Sequence, residues 1–242
     1  MSVLRAIRAS EAAFEGLLHT VHVLGQEILS AHADDVDRQV RFPQESLAAL
    51  KQAKLLSAYV SRDYGGMGLN VLQIARICEV LGQYCASTAM IYAMHQIQVA
   101  CVVHHAQESA YFRAYLEQLV ERQRLMASAT TELGVGGDLR TSICAVETAG
   151  ETFRLTKKAP VISYGEAADD ILVTCRKSPE APASEQVHVL VRRGDYSAEP
   201  LSGWDTLGFR GTCSTGFTLK AQGRTEQILP TPFAAIDRKS VV

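Results

Sequence analysis

The residues with the most chemical character lie between 130 and 138. Thr130, Thr131 and Glu132 end an apolar run and lead into Gly134-Val135-Gly136-Gly137, which Asp138 closes. Successive backbone N–H groups in such a turn can form a concavity for an anion without a lysine or a metal. The same residues also suit a tight loop that merely needs conformational freedom. No P-loop lysine follows. The next segment reads as strand rather than helix, so a dinucleotide fingerprint is not supported. A G-x-S-x-G nucleophile elbow is missing from the sequence, which removes the common serine-hydrolase arrangement.

The histidines offer less. His19 and His22 stand one helical turn apart, but no third ligand has suitable spacing, and they read as solvated surface residues. His104 and His105 point to different faces of one helix. His95, in an apolar helix, reads as a satisfied core histidine. The six cysteines (78, 85, 101, 144, 175 and 213) form no C-x-x-C pair and read as small buried hydrophobes of a reducing compartment.

Of the 242 residues, 47% are hydrophobic and 21% charged, the balance of an ordinary globular chain. The formal net charge of −2 supplies no basic field for a polyanion, so nucleic-acid binding is not expected. Arg5 and Arg8 are followed by Glu11 and Glu15 before any apolar run forms, unlike a targeting segment. The most apolar stretch, Ala89 to Val103, is interrupted by His95, Gln96 and Gln98 and reads as too polar and too short to span a bilayer. The expectation is a cytoplasmic protein with no membrane span.

The elements that must position the glycine turn change character near residue 125. Before it the pattern is helical. Phe14, Leu17, Leu18, Val21 and Leu24 form a stripe within 10–31, and Pro43 suits the first turn of a helix through Leu47, Leu50 and Leu55. Asp63 to Asn70 reads as a turn. Asn70 then caps a helix carrying Val71, Ile74, Cys78 and Leu81. Further helices are expected over Ser87–His104, apolar on almost every side, and Glu108–Arg122. After 125, short runs at 125–131, 142–147, 152–162, 170–176, 186–192 and 214–220 read as strands, with 177–185 as a polar hairpin tip. Val187, Val189 and Val191 alternate with polar neighbours, which predicts one buried face. The fold class expected is α+β: an all-α helical domain over 1–124, then an antiparallel β-barrel or sandwich of six to eight strands over 125–236.

Four segments in order resemble the acyl-CoA dehydrogenase family of flavoproteins. They are Tyr64-Gly65-Gly66-Met67-Gly68-Leu69 with the later Cys85-Ala86-Ser87-Thr88-Ala89, then Thr131-Glu132-Leu133-Gly134-Val135-Gly136-Gly137-Asp138, then Lys158-Ala159-Pro160-Val161-Ile162-Ser163-Tyr164-Gly165, and finally Leu207-Gly208-Phe209-Arg210-Gly211-Thr212. The family's counterparts are Y-G-G-x-G, T-E-P-x-A-G-S-D, K-x-x-W-I-T/S-N-G and G-W-R-G-S/T. The resemblance covers roughly residues 10 to 236.

It implies FAD lying against the β-domain, with the Thr131 hydroxyl on the pyrimidine edge, Gly136 and Gly137 at the pyrophosphate and Ser163 near flavin N5. Glu132 and Asp138 would fix the loop. It implies oxidation of an acyl-CoA thioester to the trans-2-enoyl-CoA, with an electron-transfer flavoprotein or another acceptor as partner and a homo-oligomeric full-length protein. A flavin-dependent monooxygenase or oxidase on the same fold is the alternative reading, and a degenerate interaction module a third. The departures are Leu133, Val135, Gly137, Val161 and Tyr164, where the family pattern has Pro, Ala, Ser, Trp and Asn. Family members continue into a C-terminal helical bundle that carries the catalytic base. Here Asp237 to Val242 reads as a foreign tail, and the expectation is a truncated chain, inactive alone, with no catalytic residue of its own.

Overall fold

The computed structural model describes the backbone of residues 3–105 and 108–237, and the side chains of 11–105 and 108–236. The reading of 237–242 as foreign therefore falls, apart from the backbone of Asp237, outside the described residues.

The first helix exceeds the expected 10–31. Helix α1 (Val3–Leu24) runs through a π-turn at Gly25–Leu29 into α2 (Ser30–Arg38). No proline interrupts it, and Leu29 and Val36 prolong the buried stripe of Phe14, Leu18 and Val21. Pro43 takes the N-cap of α3 (Gln44–Gln52) rather than its first turn. The helix expected to reach Leu55 stops earlier: Lys54 is left-handed, at φ 59°, and Leu55–Ser57 form a buried 3-10 turn. Tertiary partners replace the helical ones there. The Leu55 carbonyl accepts from Gln96 Nε2 at 2.9 Å, and the Leu56 N–H donates to Gln123 Oε1 at 3.1 Å.

The turn before Asn70 is tight. A Cβ on Gly66 would lie 2.1 Å from the Val60 carbonyl oxygen. Asn70 and Gln73 make a reciprocal capping box, each bond 3.0 Å, that starts α4 (Val71–Gly82). Helices α5 (Ala86–His105) and α6 (Ala110–Arg122) follow, the second capped by Ser109 and so starting two residues later than expected. By length and composition α5 could cross a membrane, contrary to the expectation for its apolar stretch, yet 61% of its apolar window is buried inside the fold, as for a central core helix.

Among the described residues, seven strands form two sheets. One has the order β1 (Met126–Ala129), β4 (Asp170–Arg176), β5 (Gln186–Arg192). The other has the order β2 (Glu147–Ala149), β3 (Thr152–Ala159), β7 (Gly216–Arg224), β6 (Tyr196–Ser202). The fold is the expected helices-then-sheets α+β arrangement, with corrections. The β1–β4 pair is parallel, while the others are antiparallel. The strand expected at 142–147 is a loop with one isolated bridge, Ala145 to Arg176, and only Glu147–Ala149 is strand. Tyr196–Ser202 is a strand that alternation did not reveal, since six of its seven residues, Ser197 to Ser202, are exposed.

The one-faced reading of 186–192 is also corrected, because Gln186 to Val191 are all buried. Leu172 and Leu190 pack with Phe112, Tyr115 and Leu116 of the helical half, whereas Val173, Val189 and Val191 join Phe153, Leu155 and Leu219 of the second sheet. The sheet is covered on both sides, so its strands lose the polar face.

Candidate functional site: an open wall at the end of strand β1

Strand β1 enters the site through His95. Its ring is fully buried, its Nε2 lies 2.7 Å from the Leu56 carbonyl, and its Nδ1 accepts the Met126 N–H at 3.0 Å. Burial pushes this imidazole down to about 4. It is the core histidine expected, and it fixes where β1 starts. His22 is half-buried and tied to Tyr84 Oη at 3.1 Å, a correction to its reading as a solvated residue.

At the other end of β1 the chain turns outward. Thr131 is half-buried, and its hydroxyl donates to the Val161 carbonyl at 3.1 Å. Its hydrogen is thus used within the fold, and Oγ1 keeps lone pairs able to accept a further hydrogen bond. Leu133 N–H pairs with the Lys158 carbonyl at 2.9 Å, so 131–133 runs beside the end of β3. Gly134, Gly136 and Gly137 then take φ values of 96°, 63° and 85°. A Cβ on Gly136 or Gly137 would meet nothing within 4 Å. Among the described residues, none of the four N–H groups from Gly134 to Gly137 has an acceptor. Asp138 closes the turn. Its N–H reaches the Val135 carbonyl at 3.1 Å, and its carboxylate accepts the Arg140 N–H at 2.9 Å.

Ser163 is half-buried two residues beyond Val161 and accepts from Ser214 Oγ at 2.8 Å. Its neighbours are pinned from the loop after β6: Ile162 N–H to the Thr215 carbonyl at 2.9 Å, and Tyr164 N–H to the Thr212 carbonyl at 2.7 Å. Three non-glycine residues here are left-handed, Tyr164 (φ 45°), Phe209 (54°) and Cys213 (44°), a conformation held against its local cost. The structure therefore brings Thr131 and Ser163 to one segment and sets the glycine turn as the continuation of Thr131. Apolar Leu133, Ile143, Val161 and Phe209 are exposed around it. A surface cleft of about 770 Å³ lies at the far end of β3 between Glu147, Arg154 and Arg224, away from this wall.

Glu132 ties the following loop down, the part expected of it, but its partner Lys157 and the hydroxyls of Thr212 and Ser214 were not singled out in the sequence. Glu132 is buried, accepts the N–H groups of Ile143 (3.1 Å) and Cys144 (2.6 Å), and pairs at 3.2 Å with Lys157, which is fully buried. Lys157 Nζ also donates to the Thr174 carbonyl at 2.7 Å. The signal was present: Lys157 occupies an inward position of the Phe153, Leu155, Lys157, Ala159 alternation. Thr212 and Ser214, the hydroxyls behind Ser163, carried no such signal, because nothing local marks their direction.

Comparison with known proteins follows the same division. The family profile "Acyl-CoA dehydrogenase, N-terminal domain" matches residues 13–123. Cyclohex-1-ene-1-carbonyl-CoA dehydrogenase of Syntrophus aciditrophicus is 27% identical over 179 residues, 74% of this chain and 43% of that protein. The chain spans about half the length of the curated relatives it matches. Butyryl-CoA dehydrogenase from Megasphaera elsdenii shares the fold with a TM-score of 0.82 at 20% identity, over 94% of this chain and 61% of that one. FMN-bound TdsC from Paenibacillus sp. A11-2, a dibenzothiophene monooxygenase, shares it with a TM-score of 0.80 at 18% identity, over 91% and 55%. The helical half thus matches the acyl-CoA dehydrogenase N-terminal profile directly, and the two halves together share the fold of the corresponding portion of such structures.

Proposed function

We propose that the wall formed by Thr131, the 134–137 turn and Ser163 holds a flavin, FAD in the first instance, in an oxidoreductase that acts on an acyl-CoA thioester. The observation that carries this reading is the run of four backbone N–H groups without an internal acceptor. It begins three residues after a hydroxyl whose hydrogen is committed to the Val161 carbonyl, which leaves its oxygen as an acceptor. Such amides suit the two charges of a pyrophosphate. The lone pairs of Thr131 suit the ring N–H on the pyrimidine edge of an isoalloxazine. A bound flavin would supply the two-electron acceptor that this chain's side chains lack.

Every other task falls to the polypeptide. The turn binds the diphosphate, Thr131 and Ser163 orient the ring, and the exposed apolar rim excludes water from its face. Neither nearby carboxylate is placed to take a substrate proton. Glu132 is buried between Lys157 and two amides, and Asp138 caps its own turn. Oxidation to the trans-2-enoyl-CoA, with electrons passed to an electron-transfer flavoprotein or another acceptor and a homo-oligomeric assembly, belongs to this proposal through the family resemblance.

The likeness to TdsC supports a second reading, a flavin monooxygenase or oxidase on the same fold. Identifying the flavin released on denaturation, and asking whether an acyl-CoA bleaches it without oxygen, separates the two. A colourless protein with no affinity for either flavin points to a non-catalytic module and ends both.

The direct test is flavin absorbance per protein after gel filtration. Gly136→Val is expected to lose the cofactor, since a branched side chain stands on the outward face of the turn. Thr131→Val is expected to weaken retention by about 1 kcal/mol, the worth of one hydrogen bond. A His95 substitution is expected to lower stability more than flavin content. Full retention by Gly136→Val refutes the site.

A further inference from the structure

Behind Ser163 lies a file of hydroxyls. Thr212 Oγ1 is 2.7 Å from Ser214 Oγ, and Ser214 Oγ is 2.8 Å from Ser163 Oγ. Thr212 and Ser214 are buried, 2% and 4% exposed, whereas Ser163 reaches the open wall. Three hydroxyls in file have two consistent orders. In one, each donates forward and Ser163 is left with its hydrogen facing out. In the other, each donates backward, the last hydrogen goes to the Phe209 carbonyl, 2.8 Å from Thr212 Oγ1, and Ser163 faces out with lone pairs.

The contact nearest the wall decides between them: across 2.8 Å, Ser214 Oγ stands as the donor and Ser163 Oγ as the acceptor. The forward order agrees with that direction. Its cost is at the far end, where Thr212 Oγ1 lies 2.8 Å from a Phe209 carbonyl whose two lone pairs already take the Thr212 N–H at 3.0 Å and the Trp204 indole N–H at 3.1 Å. The left-handed residues Phe209 and Cys213 flank this file and hold the geometry at a local cost.

We infer that Thr212 and Ser214 are positioning residues that fix the Ser163 hydroxyl as an outward hydrogen-bond donor. The wall then presents opposite polarities at its two hydroxyls, an acceptor at Thr131 and a donor at Ser163. Toward a flavin, and so resting on the reading above, a fixed donor favours the oxidised ring, whose N5 has a free lone pair, over the reduced ring, whose N5 carries a hydrogen. Ser214 thereby biases the redox balance without touching the cofactor.

Neutron diffraction from crystals of the deuterium-exchanged protein without cofactor reads the order directly. The expected result is deuterium on Thr212 Oγ1 toward Ser214, on Ser214 Oγ toward Ser163, and on Ser163 Oγ toward the open face. Deuterium on Ser163 directed at Ser214 overturns the proposal, whatever the wall binds. With flavin bound, Ser214→Ala is expected to lower the affinity ratio of oxidised to reduced flavin about tenfold, a rise of about 30 mV in the two-electron midpoint, and Ser214→Thr to restore it. A loosened site would weaken both forms equally, so an unchanged ratio in Ser214→Ala also overturns the proposal. Failure of the wild-type protein to bind flavin removes the functional reading, and the neutron map still decides the hydroxyl order.

Discussion

Replacing Glu132 by Gln should be among the most damaging isosteric changes in the chain. The carboxylate satisfies three donors at once: Lys157 Nζ at 3.2 Å, Ile143 N–H at 3.1 Å and Cys144 N–H at 2.6 Å. The Lys157 side chain is 0% exposed and that of Glu132 5%. A glutamine keeps one oxygen, for Cys144, and turns an NH2 group toward two further donors. Lys157 then stays charged and buried with only the Thr174 carbonyl. Breaking a buried pair from one side costs about 3–5 kcal/mol. For a chain of this length that is a fall of roughly 6–20 °C in Tm. Lys157→Met should cost less, because Glu132 retains both backbone N–H donors. The double variant should be more stable than Glu132→Gln alone. The assay is a double-mutant cycle by urea unfolding, followed by circular dichroism. A cost below about 1 kcal/mol for Glu132→Gln, or strictly additive single effects, refutes the reasoning.

Acid should weaken the fold before its carboxylates titrate. Desolvation pushes His95 and His188 down to about 4, so between that and the unfolded value near 6.5 the unfolded chain binds more protons. Their contribution is complete above about pH 6.5 and is lost as pH falls toward 4, by about 2 kcal/mol each at pH 5. A urea midpoint that stays level from pH 7.5 to 5 contradicts this. Gly66→Ala should cost more than about 3 kcal/mol, because its Cβ would sit 2.1 Å from the Val60 backbone oxygen. A wild-type melting curve for that variant would show the turn to be deformable. Tyr164→Phe should cost about 1 kcal/mol, the hydrogen bond from its hydroxyl to the Met126 carbonyl at 3.1 Å. Thermal unfolding reads it.

Helices were the most legible part of the fold in sequence, because their apolar spacing and caps are local. Asn70 and Gln73 announce α4 within four residues. The break at Lys54 was illegible, since its cause is Gln96 and Gln123, both distant in sequence. The loop at 142–147 carried strand-like composition, but its N–H groups at Ile143 and Cys144 answer to Glu132 instead of a neighbouring strand. At the wall, Thr131 and the glycine turn could be picked out by residue type. What composition could not show is direction: that the Thr131 hydrogen is used inward, or that Ser163 has two hydroxyls behind it.

The seam between helices and strands limits how this architecture can be recombined. Residue 125 marks a change of element type, yet one apolar core runs from Phe14 and Leu81 through to Val191 and Leu219. Asp169 and Asp170, at the start of β4, hold the Leu125 N–H at 2.7 Å, Arg124 at 2.6 Å and the Tyr115 hydroxyl at 2.8 Å. The strand that leads to Thr131 begins on an imidazole from α5. A chimera cut at 124/125 would therefore sever a shared interior and leave buried Asp170 without Arg124, its closer partner, and with only Arg192 at 3.9 Å. The sheets are not a cassette that can be moved to another helical partner, and a graft of the wall has to carry α5, α6 and their matched residues with it.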